Sequence, residues 1–553
     1  MRPILLAASL ALLHCVGRSQ TCQWANSLGS VNTVTRIEQV RSYPGSMAIV
    51  CGSFAAPSLT LGAHAVTNQG QEDGFVAIAN ADGEYVWAKG IGGGNNDLVT
   101  DVASHSTGEF VAVGNFRSVF LSIGDTTLSN AGESDIHLTK FNADHTIAWV
   151  RHFGGVDIDE ATSVRMDASG NTYVAGQVTN RFLLQTTAVF VRKYAPNGSL
   201  IWERLGTVQS GSANVMSLAV DDQQKVHACG SMYGSITFGS STLNGDQGFA
   251  AFIVSYDPSG TLSNSMVTYD HGEFSAIESH EDHIYACARK VNFGIGWGWP
   301  LGDSKVKLIK FDSELNTIWS REFGGEVPNH SLDLAKDLSL DTEGNVYVTG
   351  SFFSDTLFFA DDTLINPYNA PYYYPQIFVA KYSAAGDAIW GMSAGGIHTD
   401  EATGIHVVGN DRFFLAGNFE SDPAGFGGYE LQNTSQLDSI YVHLLPARYG
   451  RRTMGFLAKF TGDNSTGTDD RTDQRFSLWP NPANGSITIR TGPTLFTSFT
   501  MEIVTLDGRV LHHLVQRSPS SDVHLEISDL APGPYFVSIT TEEGRSTQRF
   551  IKY

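Results

Sequence analysis

One unit of sequence recurs along this chain, and a chain built from repeats of that length has few architectures open to it. The cleanest copy runs from Phe153 to Trp202. It reads Phe153-Gly154-Gly155, then Asp159-Glu160-Ala161, a strand ending at Asp167, a turn from Ala168 to Asn171, and Tyr173-Val174-Ala175-Gly176. A second hairpin follows: Val189 to Tyr194, a Pro196-Asn197-Gly198 turn, and Leu200-Ile201-Trp202. The apolar residues come in short runs and are β-branched or aromatic, which favours strands over helices. Each unit is therefore four short strands, a to d, with the Trp on strand d. No long stretch shows helical periodicity.

The markers recur. Trp closes a unit at Trp24, Trp87, Trp149, Trp202, Trp319 and Trp390, and Asn264 holds the place in one copy. The Gly pair returns at Gly92-Gly93, Gly324-Gly325 and Gly395-Gly396, the acidic-Ala element at Asp400-Glu401-Ala402, and the first turn at Asp341 to Asn345. The ends are complementary. Gln23-Trp24-Ala25 is a d strand with nothing before it. The last copy has a (Thr403 to Val408), b (Phe413 to Gly417) and c (Gly455 to Phe460), and no d. The N-terminal strand can complete the final unit, which predicts an all-β, seven-bladed β-propeller whose ring is closed by both termini. Closure leaves only short, protected sheet edges.

These units resemble the SBBP repeats of bacterial β-propellers in their Gly-Gly, Asp-x-x-Gly-Asn-x-Tyr-x-x-Gly and Phe-x-x-Lys-Tyr elements, over about Trp24 to Phe460. The match is poorest in the fifth unit, where Cys287-Ala288 replaces x-Gly. The resemblance implies a propeller and no single activity.

Charge and cysteine content narrow the function classes. A net charge of −22 with only 35 Lys and Arg speaks against nucleic acid and anionic membranes, which need a basic footprint. Met1-Arg2 followed by the apolar run Ile4 to Leu13 reads as a signal peptide, residues 1–19, cut near Ser19-Gln20. The run is too short to span a membrane, and no other segment could do so as a helix. Cys22, Cys51, Cys229 and Cys287 remain. Three of them align with small buried residues of other copies, so they read as core rather than as disulfides or zinc ligands.

After a propeller over residues 20–460, residues 461–475 are rich in Thr, Asp, Gly and Asn and read as a linker. Residues 476–553 hold several short strands, including a hairpin around Asp507-Gly508, and suggest a small β-sandwich. This end resembles the C-terminal sorting domain of the type IX (Por) secretion system. The matching residues are Trp479-Pro480-Asn481-Pro482, Leu506 to Val510 around Asp507 and Gly508, Leu530 to Val537 with Gly533 and Tyr535, and the terminal Arg549-Phe550-Ile551-Lys552. It departs from the family pattern with Trp479 where Tyr is usual and with Pro534 before Tyr535. The resemblance implies engagement of the type IX machinery, passage across an outer membrane, release or surface attachment, and a Bacteroidota-type bacterium.

No catalytic constellation stands out: there is no nucleophile elbow and no phosphate loop, since Gly90 to Gly94 lacks the Lys that such a loop requires. His280-Glu281-Asp282-His283 lacks the spacing that puts two imidazoles on one helix face. The Asp-x-x-Gly-Asn turns lack the further carboxylates of a Ca²⁺ loop, so no metal and no cofactor are expected. Asp159/Glu160 and Asp400/Glu401 recur with the repeat and read as strand-end hydrogen-bonding groups rather than a glycosidase pair.

One asymmetry rises above the repeat. The b–c connections of the last three units lengthen and carry rings: Trp297 and Trp299 in the fifth, Tyr368, Tyr372, Tyr373 and Tyr374 in the sixth, and Tyr429, Tyr441 and Tyr449 in the seventh. Flat rings held by Gly and Pro suit sugar or peptide contacts. The leading expectation is an exported, non-catalytic binding or adhesion module for a glycan or protein. The alternative is an extracellular propeller enzyme, such as a glycosidase or lyase.

Overall fold

The computed structural model describes residues 20–29, 34–180, 185–270, 272–291, 304–325, 333–359, 362–366, 374–434, 438–440, 448–450, 452–462, 476–479, 485–491, 499–504, 510–516, 522–531, 533–541 and 544–552. Among them there are strands and turns and no helix. The chain divides into two compact units, residues 1–463 and 464–553.

The first unit holds seven four-stranded antiparallel sets, called sheets one to seven in chain order. Their first strands are Thr35–Tyr43, Asp97–Ser104, Ile158–Met166, the second half of Leu200–Val220, Glu273–His280, Leu334–Leu340 and Asp400–Val408. Sheets three and four are joined through Leu200–Val220, one continuous strand where two had been expected. Sheet seven takes its fourth strand from the other end of the chain. Gln20–Leu28 pairs antiparallel with Met454–Gly462, with Ala25 opposite Ala458. Each first strand touches the first strand of the next sheet, and that of sheet seven touches that of sheet one.

Apolar burial follows from this stacking. Seven clusters of buried side chains lie in the first unit, each shared by two neighbouring sheets. Middle strands are covered on both faces, so Asp73–Ala79 and Gln376–Tyr382 are buried throughout and read as continuous rather than alternating runs. The four cysteines Cys22, Cys51, Cys229 and Cys287 are buried and unpaired with one another.

The repeat markers are the groups that fasten one sheet to the next. The Trp149 indole N–H donates to the Pro196 carbonyl in the c–d turn of the following sheet, at 2.9 Å. Trp24, Trp202 and Trp319 do the same to Ala81, Pro258 and Ala384. The turn glycine beneath each ring, Gly83, Gly198, Gly260 or Gly386, has φ between +80° and +85°, and an added Cβ would sit 2.8 Å from the indole. Only glycine satisfies both demands. Two residues on, Arg151 stacks over Trp149 and donates to the Gly198 carbonyl at 2.6 Å. Asn264 replaces the Trp of sheet four, and Leu315 stands at the turn position of sheet five in place of the glycine.

The Gly pairs and first-strand aspartates form a second fastening. The Asp400 carboxylate accepts from the Gly396 N–H at 2.6 Å, the Ser421 hydroxyl at 2.6 Å, and the Glu420 and Ser421 N–H groups at 3.3 Å. Asp97 with Ser118, and Asp333 with Ser354 and the Gly325 N–H, repeat the arrangement. These serines open the b–c connection, which crosses to the end of the preceding sheet. Leu121 pairs with Gly93, and Gly425 with Gly395. A Cβ on Gly93, Gly325 or Gly396 would fall within 2.7 Å of the serine Cβ, so the pair must stay glycine for the strands to meet.

In the second unit a three-stranded sheet (Phe476–Trp479, Ser486–Thr491, Asp522–Glu526) and a four-stranded sheet (Val510–Gln516, Phe499–Val504, Gly533–Thr541, Gly544–Lys552) share one core. Ile487, Ile489, Met501, Ile503, Val537 and Ile539 form its centre. Tyr535 is buried and its hydroxyl donates to the Ala531 carbonyl at 2.8 Å, while Gly533 and Lys552 are cross-strand partners. Pro480, Asn481, Pro482, Asp507 and Gly508 lie outside the described residues.

Candidate functional site

The seven first strands share one irregularity. Each carries a β-bulge at the same point, between Ile37 and Gln39, Val99 and Asp101, Ala161 and Ser163, Val215 and Ser217, Phe274 and Ala276, Ala335 and Asp337, and Ala402 and Gly404. A bulge re-aims the residues that follow it. Here it brings charged side chains from separate sheets together. Arg41 bonds Asp337 at 3.0 Å and lies 3.7 Å from Asp101; Arg165 bonds Asp101 at 2.9 Å and Glu278 at 3.3 Å.

Two arginines and three acids thus meet at one place, although the Nε–H groups of Arg41 and Arg165 are buried without a hydrogen-bond partner. Burial opposes the Arg41 charge, yet Asp337, Asp101 and Glu278 hold the guanidinium above its usual range. Burial raises Glu278 against the pull of Arg165 and Arg41. His406 lies nearby, and burial followed by the two arginines pushes its imidazole down to about 3. The ion pairs tie together the first strands of sheets one, two, three, five and six, with His406 held neutral beside them.

A polar cavity of about 240 Å³ opens among sheets one, two and three, lined by Arg36, Glu38, Glu72, Asn96, Arg117 and Glu160 together with Ser53, Asp97, Asn115 and Ser134. Arg36 pairs with Glu72 at 3.2 Å, and Ser53 donates to the same carboxylate at 2.6 Å. Burial raises Glu38, with Arg36 partly opposing and Glu72 adding to the rise. Arg117 and Asn96 are exposed at the rim. Alternating donors and acceptors in a cleft of this size suit one polar ring or side chain of a ligand.

Of the expected ring contacts, Trp297, Trp299, Tyr368, Tyr372 and Tyr373 lie outside the described residues. Tyr374 is described: its ring meets His398 edge-on at 5.1 Å, and its carbonyl accepts from Asn366 at 2.9 Å. The acidic strand-end residues take the hydrogen-bonding role expected of them: Asp159 accepts from the Gly155 N–H at 2.5 Å, and Asp400 is fully engaged by its clasp. The Asp167 turn is likewise local, with its carboxylate accepting from Ser169, Asn171 and Tyr173. His280 and His283 are cross-strand partners flanking a turn. Among the described residues no grouping of His, Cys, Asp and Glu is arranged to hold a metal, and no helix is long and apolar enough to cross a membrane.

The paired charges escaped the sequence reading because Arg41, Asp101, Arg165, Glu278 and Asp337 are the positions at which the copies differ. The signal that could have found them is the opposite sign of residues at the same repeat offset, Arg41 and Arg165 against Glu278, with Asp101 and Asp337 two places earlier.

Residues 477–553 match the family described as secretion system C-terminal sorting domain. The regulatory protein FlaEY of Caulobacter vibrioides is 33% identical over 132 residues, 24% of this chain and 13% of that protein. An uncharacterized WD repeat-containing protein of Acanthamoeba polyphaga mimivirus is 26% identical over 131 residues, 23% of this chain and 9% of that protein. The chain thus spans a small part of the length of the curated relatives it matches. Among solved structures, Sqt1 from Chaetomium thermophilum aligns at TM-score 0.37 and 8% identity, covering 72% of this chain and 97% of that one. A mutant of the Synechocystis apocarotenoid oxygenase aligns at TM-score 0.35 and 8% identity, covering 66% and 72%. Likenesses of that strength carry no inference about activity. The tail is specific: residues 477–553 are a Por-type C-terminal sorting domain, and they mark the chain for type IX secretion to the cell surface or the extracellular space.

Proposed function

We propose that this chain is an exported seven-bladed propeller of SBBP-like units that holds a glycan or protein ligand outside the cell without chemically changing it. The unbroken series of first-strand contacts from sheet one to sheet seven and back supports the ring, as does the N-terminal strand in sheet seven. The WD-repeat character of one relative is in keeping with it. The observation that carries the binding reading is the use of charge. The central arginines and acids are paired with one another and the strand-end aspartates are spent on clasps, while a polar cavity opens beside Arg36 and Glu72.

Trp297, Trp299, Tyr368, Tyr372, Tyr373 and Tyr374 are the proposed ligand contacts. Replacing Trp297, Trp299, Tyr372 and Tyr373 together with Ala is expected to abolish binding to the ligand of the unmodified chain while leaving its circular dichroism and thermal midpoint unchanged. Undiminished binding by a folded variant sinks the assignment of these residues. A second reading has one observation in its favour: Glu38, raised by burial, lies in the same cavity as Glu72 and Glu160. A glycosidase needs two carboxyl groups facing one cleft, so hydrolysis is the alternative outcome to test.

A further inference from the structure

The fourth sheet departs from the other six. Its second and third strands, Val226–Phe238 and Ser241–Tyr256, are 13 and 16 residues long, and the first half of Leu200–Val220 runs alongside them out to Gly206 opposite Phe238. The result is a three-stranded tongue. At its base Gly211 and Gly234 are direct cross-strand partners, with φ of +81° and +87°. A Cβ on Gly211 would lie 1.9 Å from the Tyr233 carbonyl oxygen, and one on Gly234 would lie 2.2 Å from that of Ser210. No other residue fits either place. The ladder also slips beside them, between Val208 and Ser210 and between Tyr233 and Gly234. Paired left-handed glycines and bulges bend a sheet and re-aim what stands next to the bend.

What stands there is a set of rings. Tyr233 and Phe249 face each other across the ladder, with centroids 5.7 Å apart and planes tilted by 49°. Tyr269 follows the fourth strand, and its hydroxyl donates to the Asn244 carbonyl. The three are 49%, 56% and 55% exposed, while Met232, Ile236, Phe238 and Ala250 on the same strands are buried. The core is therefore complete without these rings. Their surroundings carry hydroxyls: Ser210 meets Ser235 at 3.1 Å, and Thr237 meets Thr242 at 3.0 Å. In sequence, residues 206–212, 231–256 and 261–270 contain no Lys or Arg, and their only acidic residues are Asp246 and Asp270.

We propose that this tongue is a binding platform for a neutral saccharide. Ring faces cover the C–H faces of sugar rings, and serine, threonine and backbone groups meet their hydroxyls. The absence of Lys and Arg from these stretches points to an uncharged rather than an acidic glycan. A protein partner is ordinarily met by arginine among the aromatic anchors, and a phosphate backbone by basic residues. That the glycan is extracellular rests on export of the chain; the platform shares no residue with the cavity or with the aromatic b–c connections invoked above.

The test uses the full chain in affinity electrophoresis through gels containing neutral polysaccharides (β-glucan, xylan, mannan) or an acidic one (polygalacturonate), with thermal midpoints measured in parallel. At least one neutral polymer is expected to retard the chain. Tyr233→Ala and Phe249→Ala should each weaken retardation about tenfold, and Tyr233→Phe and Phe249→Tyr should preserve it. Retardation by none of the neutral polymers, or only by the acidic one, overturns the proposal. So does equal retardation of folded Ala variants. If the Trp297, Trp299, Tyr372 and Tyr373 variant loses neutral-glycan binding and the Tyr233 and Phe249 variants keep it, the platform falls and the wider binding reading stands. The reverse result keeps the platform and removes the b–c connections from the ligand site.

Discussion

A single side chain in this molecule is informative when its partner belongs to another sheet. Trp149 was legible as a marker because it recurs, and Gly198 as a turn residue because a Pro-Asn-Gly run needs one. That the ring of one covers the other was not legible, since the two meet only when neighbouring sheets stack. The pairing is not strict: the copy that lost Trp at Asn264 is followed by the copy with Leu315 at the turn, whereas Trp87 is followed by His145, whose φ is +66° and whose ring meets the indole at 5.1 Å. His137 gives a titratable counterpart. Its side chain is fully buried in sheet two, and burial pushes the imidazole down to about 4, with the Leu98 carbonyl opposing and His152 adding to the fall. The folded state then binds fewer protons than the unfolded one. Stability from this group is present above pH 6.5 and is lost as pH falls toward 4, by about 2–3 kcal/mol. Urea midpoints at pH 7 and pH 4.5 should show that loss in the natural chain, and a smaller one in His137→Leu. Equal losses in both would contradict the assignment.

At the scale of elements, the clasp between a first strand and the b–c connection explains two markers that the repeat exposed and the sequence could not interpret. Gly395-Gly396 and Asp400 were visible; Ser421 was not, because the connection that follows varies in length and hides its register. Those connections have a pattern of their own. Short hairpins run from Ser58 to Thr67, Phe120 to Ser129, Thr356 to Ile365 and Ala424 to Leu431, each followed within two residues by Asn68, Asn130, Asn366 or Asn433. Asn68, Asn130 and Asn433 tie back to the carbonyls of Phe54, Phe116 and Phe419. The regular hairpin is therefore common to several sheets, and lengthening in the last units is a variation on it. The clasp is also testable. Asp400→Ala strands the Gly396 and Ser421 donors in a fully buried place, so it should cost about 2–4 kcal/mol in urea unfolding. Asp400→Asn, which keeps one acceptor oxygen, should cost less. An Ala variant within about 0.5 kcal/mol of the natural chain would show that the clasp contributes nothing.

For the whole molecule, the all-β class, the antiparallel sheets and the sorting tail were readable and the site largely was not. Repeats and complementary ends are properties of the chain's order, and the pairing of Ala25 with Ala458 follows from them. The tail was readable because its motifs sit in order at the extreme C-terminus. The ion pairs of Arg41 and Arg165, the cavity beside Arg36 and the aromatic tongue depend on which non-repeating residues the stacked sheets bring together, and no linear period reports that. The central ion pairs and the strand-end clasps tie sheet to sheet, and the polar cavity beside Arg36 and the exposed rings Tyr233, Phe249 and Tyr269 are the described surface features outside the central ion pairs. The central claim is that the exported chain holds a ligand and leaves it intact. Its most direct test is to apply the full chain to a glycan array, then incubate it with each bound glycan and analyse the solution by mass spectrometry. The account predicts saturable binding with the glycan recovered whole; release of shortened or unsaturated products, abolished by Glu38→Gln, would contradict it and establish the enzyme reading.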